Sequence, residues 1–93
     1  MRFEWDENKN LANQTKHNLS FDTACDVFDD PLHVSKPDRV IEGEQRWTTI
    51  GVVGGLLLVV VAHTYRDGAR EEVVRIISAR MATRHERRDY EIG

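Results

Sequence analysis

The stretch VVRIISARMATRHERRDY, Val73 to Tyr90, begins as one kind of element and ends as another. Val73, Val74, Ile76 and Ile77 are β-branched and closely spaced, which predicts a strand. From Ala82 the chemistry turns helical, with Thr83, Arg84, Glu86 and Arg87 following. Between Val73 and Arg88 five arginines (Arg75, Arg80, Arg84, Arg87, Arg88) stand against one acid, Glu86. Arg75 falls inside the apolar run, where a guanidinium that cannot shed its proton needs an anion or water. An arginine-bearing strand passing into an arginine-bearing helix points to a surface that meets phosphate.

Working outward, the 93 residues suit one domain, near the small end of what folds unaided. With 40% apolar and 31% charged residues the chain has the balance of a soluble globular protein. Cys25 stands alone, so no internal disulfide forms and a reducing cytoplasm is the expected home. The opening MRFEWDENKN has no apolar core of a secretory signal. Ile50–Ala62 is apolar but only 13 residues long with Gly54-Gly55 inside it, against the roughly 20 that a spanning helix needs. It reads as a hairpin, and no membrane association is expected. The net charge of −3 is unevenly placed. Residues 1–45 hold five basic and ten acidic side chains, and residues 46–93 hold eight arginines and six acids. A polyanion responds to that asymmetry more than to the total. A salt-bridged surface without a partner has the same composition.

Arg2–Trp5 reads as a first strand. Asp6 caps a helix over Glu7–His17 whose apolar stripe (Leu11, Ala12) is thin, and Asn18 suits the left-handed position that ends it. Ser20 caps a second helix that buries Phe21, Ala24, Cys25 and Phe28, spaced i, i+3, i+4, i+7. Asp29-Asp30-Pro31 ends it, and Cys25 is expected to pack rather than react. Leu32–Arg39 is an edge strand, since Pro37 cannot donate to a ladder. After a turn at Glu42–Glu44, strands follow at Gln45–Val53, Leu56–Arg66 and Glu72–Arg80, joined at Gly54-Gly55 and Asp67-Gly68. Leu56–Ala62 lacks polar alternation, so that strand should be central and covered on both faces. The last helix spans about Ala82–Glu91. The order β-α-α-β-β-β-β-α is an α+β fold: a twisted antiparallel sheet with two N-terminal helices and one C-terminal helix, the helices mainly on one face.

A two-residue turn at Gly54-Gly55 pairs Arg46 with His63, and a second loop centred near Asp67–Arg70 pairs His63 with Arg75. Arg46, His63 and Arg75 then form a row across three strands, with Tyr65 and Arg66 close by. Strict alternation sets Arg80 on the other face from Arg75 unless a bulge intervenes near Ser78, so its place in the row is open. Such a row suits phosphodiester cleavage without metal, because arginines hold the phosphate and stabilise the charge that grows on it. In RNA the nucleophile is the substrate's own 2′-hydroxyl, so the protein supplies a proton acceptor, a proton donor and charge. His63 and Tyr65 are the candidates for the proton roles, and Glu86 for orienting an arginine. Arg84 and Arg87 extend the basic surface along the last helix; the plain alternative is a solvated face paired with Glu86, Asp89 and Glu91. The four histidines lack zinc spacing and there is no Gly-rich phosphate loop, so neither metal nor cofactor is expected.

Phe3–Asn10 (FEWDENKN), KHN-x-SF at Lys16–Phe21, VFDDP at Val27–Pro31, GE-x-R at Gly43–Arg46, RIISAR at Arg75–Arg80 and AT-x-x-ER-x-x-Y at Ala82–Tyr90 together resemble the BrnT-type toxins. These are ribonuclease halves of type II toxin–antitoxin pairs with a RelE-like fold. Asn18 stands where the family usually has Gly, His63 and Tyr65 replace Tyr and Glu, and the loop Asp67–Glu72 is longer than usual. The resemblance implies a metal-independent endoribonuclease that slows translation. It also implies neutralisation by an antitoxin with a ribbon–helix–helix DNA-binding part, the complex repressing its own operator DNA. The family's basic residues carry over to Arg66 and Arg80, with Arg46 and Arg75 in support. The residues alone leave two other classes standing: a non-catalytic nucleic-acid-binding module and a structural partner protein.

Overall fold

The computed structural model describes residues 1–92. Its elements run β1 (Arg2–Glu4), α1 (Glu7–His17), α2 (Phe21–Ala24), a 3₁₀ turn (Cys25–Asp29), β2 (Val34–Ile41), β3 (Glu44–Val53), β4 (Leu57–Asp67), β5 (Glu72–Met81) and α3 (Arg84–Ile92). The caps form as their chemistry demands. Asp6 accepts from Asn8 and Lys9 N–H, Asn18 closes α1 at φ 56°, and the Ser20 hydroxyl accepts from Thr23 N–H. Helix geometry after Ser20 tightens to 3₁₀ from Cys25, which shortens the expected second helix. Cys25 is half-buried with its Sγ donating to Phe21 O, and burial pushes its thiol up to about 11, so it packs rather than reacts.

Five strands form one sheet in the order β1-β5-β4-β3-β2. The α+β architecture and element order are those expected, with two differences. The sheet is mixed, because β1 lies parallel to β5 while the other neighbours are antiparallel. And α3 crosses the face opposite to α1 and α2, so the helices flank both sides. β4 is central, and Leu58, Val59, Val60 and Val61 are buried as its unbroken apolar run requires. Leu56 and Leu57, at 84% and 43% exposure, fall outside that coverage because they belong to the hairpin end.

The core lies between the sheet and the N-terminal helices. Phe21, Ala24 and Val27 pack on Val53, Val59, Val61, Val74, Ile76 and Ala79. The thin apolar stripe of α1 leaves Leu11 exposed, and the helix is anchored instead by buried Asn10 and Asn13. Asn13 donates to Ala79 O and Leu19 O and accepts from Ala79 N–H, completing the β5 ladder beyond the end of β1. Asp30 does the same for β3: it accepts from Val52 N–H, from Leu32 N–H and from the Tyr90 hydroxyl, tying the 3₁₀ turn, the sheet and α3 together.

Gly51 lets the 3₁₀ turn approach β3. A Cβ there would sit 2.8 Å from Val27 O and 2.9 Å from Val27 Cγ1, and the former is backbone that cannot swing away. Gly51→Ala is expected to cost about 1–3 kcal/mol of stability. Denaturant unfolding checks this; a midpoint equal to the wild type's would show that the turn yields freely.

Candidate active site

Two registers decide which side chains meet. Val53 pairs with Leu57, so Gly54, Gly55 and Leu56 all lie in the hairpin loop. The loop is one residue longer than a two-residue turn, and His63 therefore pairs with Trp47, not Arg46. The second loop also shifts the expected register by one, pairing His63 with Ile76 and Thr64 with Arg75. A one-residue slip reverses the faces of a strand. Both slips act on β4, so the two arginines keep a common face and His63 leaves it. Continuing the β3–β4 register one step past Trp47 places Arg46 opposite Thr64, with Arg75 on Thr64's other side. The row is Arg46–Thr64–Arg75.

Further along β5 the ladder jumps from Ile76 opposite His63 to Ser78 opposite Ala62, leaving Ile77 as an extra residue. This bulge, which local sequence left open, returns Arg80 to the face of Arg75, opposite Val60. Arg66, two residues from Thr64 on β4, shares that face. Four arginines from three strands thus lie on the side of the sheet that α1 and α2 do not cover. They do not form a tight knot: Arg80 lies two same-face steps from the Arg46–Arg75 row, on the order of 13 Å along the strands.

Their environments differ. Arg66 Nε binds Glu4 Oε1 at 2.6 Å, and that bond holds the Glu4 carboxyl below its usual range. Glu4 is opposite Arg75 in the parallel β1–β5 pair, a position missed in the sequence although Phe3 and Trp5 facing the core turn it outward. Arg80 makes a bidentate pair with Glu86, at 2.6 and 2.8 Å. Glu86 also accepts from Thr83 N–H while its own N–H donates to Thr83 Oγ1, a reciprocal cap that starts α3. The Arg80 hydrogen bonds, with the cap adding, lower the Glu86 carboxyl to about 2. Glu86 orienting an arginine is thus realised, and the arginine is Arg80. Arg46 and Arg75 have no ion pair among the described residues. Arg46 Nε and Thr64 Oγ1 are both buried without a hydrogen-bond partner among those residues. His63 Nδ1 is likewise buried without a partner, and polar atoms left so are costly.

His63 and Tyr65 lie on the other face, which corrects their expected place beside the arginines. His63 is fully buried, its Nε2 sharing a 2.6 Å hydrogen bond with Thr49 Oγ1, which in turn meets Ser35 Oγ. Its ring packs edge-on against Phe28 and Tyr65, and Tyr65 against Trp47. Burial pushes the His63 imidazole down to about 4. Its folded value is thus below the unfolded 6.5, so stability is fully present above about 6.5 and is lost as pH falls towards 4. Unfolding free energy measured from pH 7 to 4 should fall over this window in the wild type and less steeply in His63→Gln. Equal slopes would show that His63 does not drive the loss. Arg84 and Arg87 are exposed on α3 and are not part of the sheet row.

Among the described residues no three His, Cys, Asp or Glu side chains are grouped to hold a metal ion, and no helix is long and apolar enough to cross a membrane. Residues 5–86 match the family described as ribonuclease toxin, BrnT, of type II toxin–antitoxin system. The chain belongs to the BrnT family. The 1.1 Å crystal structure of the Brucella abortus ribonuclease toxin BrnT is similar, with 28% identity and a TM-score of 0.65 over 90% of this chain and 99% of that one. No curated relative matches. BrnT membership makes this chain a ribonuclease toxin, with RNA as its target and an antitoxin as its counterpart.

Proposed function

We propose that this BrnT-family toxin cleaves RNA on the open sheet face, without metal, by attack of the substrate's 2′-hydroxyl on the adjacent phosphate. The observation that carries the reading is the Arg46–Thr64–Arg75 row, whose two arginines are half-exposed on one face and have no acid partner among the described residues. Phosphate oxygens pair with the half-exposed guanidinium groups of Arg46 and Arg75, which neighbouring strands hold in place to stabilise the pentavalent charge. Arg66 and Arg80 flank the row, each tethered to a carboxylate that sets its direction. Arg84 and Arg87 extend the field to the RNA strand beyond. His63 and Tyr65 support the sheet from beneath. The neutralising partner is an antitoxin with a ribbon–helix–helix DNA-binding part, through which the pair reaches operator DNA in the cytoplasm.

Purified protein incubated with an RNA of known sequence, with and without EDTA, tests this. Cuts that persist in EDTA and leave 2′,3′-cyclic phosphate and 5′-hydroxyl ends are expected. Loss of cleavage in EDTA overturns metal independence, and 3′-hydroxyl ends overturn attack by the 2′-hydroxyl.

A further inference from the structure

Beside the arginine row, on the same face, α3 stands over a slot of about 80 Å³ that continues into a second lobe of about 90 Å³ under Tyr90. Its floor is a second cross-strand row, in which Val34 pairs with Ile50 and Ile50 with Val60. Arg80 borders that floor directly, opposite Val60. Thr48 alone separates it from Arg46 on β3. The slot walls carry Lys36 from β2 and Asp89 from α3.

Those two walls are oppositely charged, yet no ion pair joins them among the described residues. Asp89 has only a loose 3.6 Å contact with exposed His85 on its own helix. Glu86, the other acid of the slot, is already occupied by Arg80 and Thr83. The slot thus presents an apolar floor, one free cationic donor and one free anionic acceptor. That is the complement of a flat ring with an amino donor and an acceptor on its edge.

We propose that this slot takes one nucleobase of the bound RNA, with Val34, Ile50 and Val60 against its face and Asp89 and Lys36 reading its edge. Bases of single-stranded RNA are recognised in this way, by packing of the ring and hydrogen bonds to its edge. A carboxylate accepts from an exocyclic amino group, and a lysine donates to a carbonyl oxygen or ring nitrogen. Guanine and cytosine present an amino group and a carbonyl, and adenine presents an amino group beside a ring nitrogen; uracil alone lacks the amino group. The slot therefore discriminates against uracil at one fixed position beside the cut. The width of the slot is set by polar tethers at both ends of α3, Arg80–Glu86 and Tyr90–Asp30, since none of the described residues of α3 is itself buried.

The inference rests on the open face being the RNA face, and two measurements separate its failure from failure of that reading. The first maps cleavage ends on a mixed-sequence RNA for the wild type, Asp89→Asn and Lys36→Ala. Discrimination against uracil at one position is expected in the wild type, reduced at least about fivefold in the variants. An absence of preference, or the same preference in all three proteins, overturns the slot while leaving the arginine row standing. The second needs no cleavage: GMP, CMP, AMP and UMP are titrated against the labelled protein while backbone amide signals are followed. GMP, CMP and AMP should shift the amides of Val34, Ile50 and Asp89, with UMP acting weakly there. Shifts confined to the amides around Arg46, Thr64 and Arg75 with every nucleotide overturn the slot and keep the phosphate row. A slot that answers only to an added antitoxin, and to no nucleotide, overturns the base assignment in favour of a protein partner.

Discussion

Arg75→Ala is expected to lower RNA cleavage by about 10²–10³-fold and to relieve growth inhibition, with the fold intact. Arg75 is half-buried in the middle of the row, on the same face as Arg46, and neither arginine has an acid partner among the described residues. Its removal takes away charge directed at the phosphate without stranding a carboxylate partner of its own. The same argument makes Arg75→Lys only a partial rescue, because an ammonium restores the charge but not the planar fork. Arg66→Ala and Arg80→Ala should also relieve growth inhibition, but each frees a carboxylate, Glu4 or Glu86, beside the substrate path. A double variant, Arg80→Ala with Glu86→Gln, should therefore recover part of what Arg80→Ala loses. Cleavage rates on a defined RNA, with circular dichroism as the fold control, check the series. Arg75→Ala at wild-type rate would remove the row from the mechanism.

Asn13→Ala should be the most damaging change to stability among the side chains of α1. The Asn13 amide makes three hydrogen bonds to the backbones of Leu19 and Ala79 in a buried setting. Alanine leaves the Ala79 N–H without its partner and no water at hand, a loss of about 2–4 kcal/mol. For a domain of this size that corresponds to a fall in melting temperature on the order of 10–20 °C. Leu11→Ala, on the exposed side of the same helix, should change stability by no more than about 0.5 kcal/mol. Thermal unfolding of the two variants makes the comparison. Comparable melting temperatures would mean that α1 is held by its apolar residues after all.

The helix caps were legible because each is a local transaction. Asp6, Asn18 and Ser20 satisfy backbone groups within four residues of themselves, so no distant contact can overrule them. The central place of β4 was legible for a similar reason, since a run of valines has no solvent-tolerant face to offer an edge. The arginine-rich hand-over from strand to helix, and the ordered motifs from Phe3 to Tyr90, likewise stood in the chain itself. Thr64, Lys36 and Asp89 were not singled out, because a threonine in a strand and single surface charges are common and gain meaning only from their neighbours.

Register belonged to the tertiary structure. Whether Leu56 joins the loop or the strand, and whether Ile77 is paired or bulged, changes little in local energy. Yet each choice moves every side chain beyond it to the other side of the sheet. The choice is made by burial: Val59, Val61, Val74, Ile76 and Ala79 must all face Phe21 and Val27 together, and no window of adjacent residues contains that requirement. His63 was carried beneath the sheet by the same demand that left Arg46, Arg75 and Arg80 above it. Residues determined which elements form and which charges they carry; packing across the sheet decided which of those charges stand side by side.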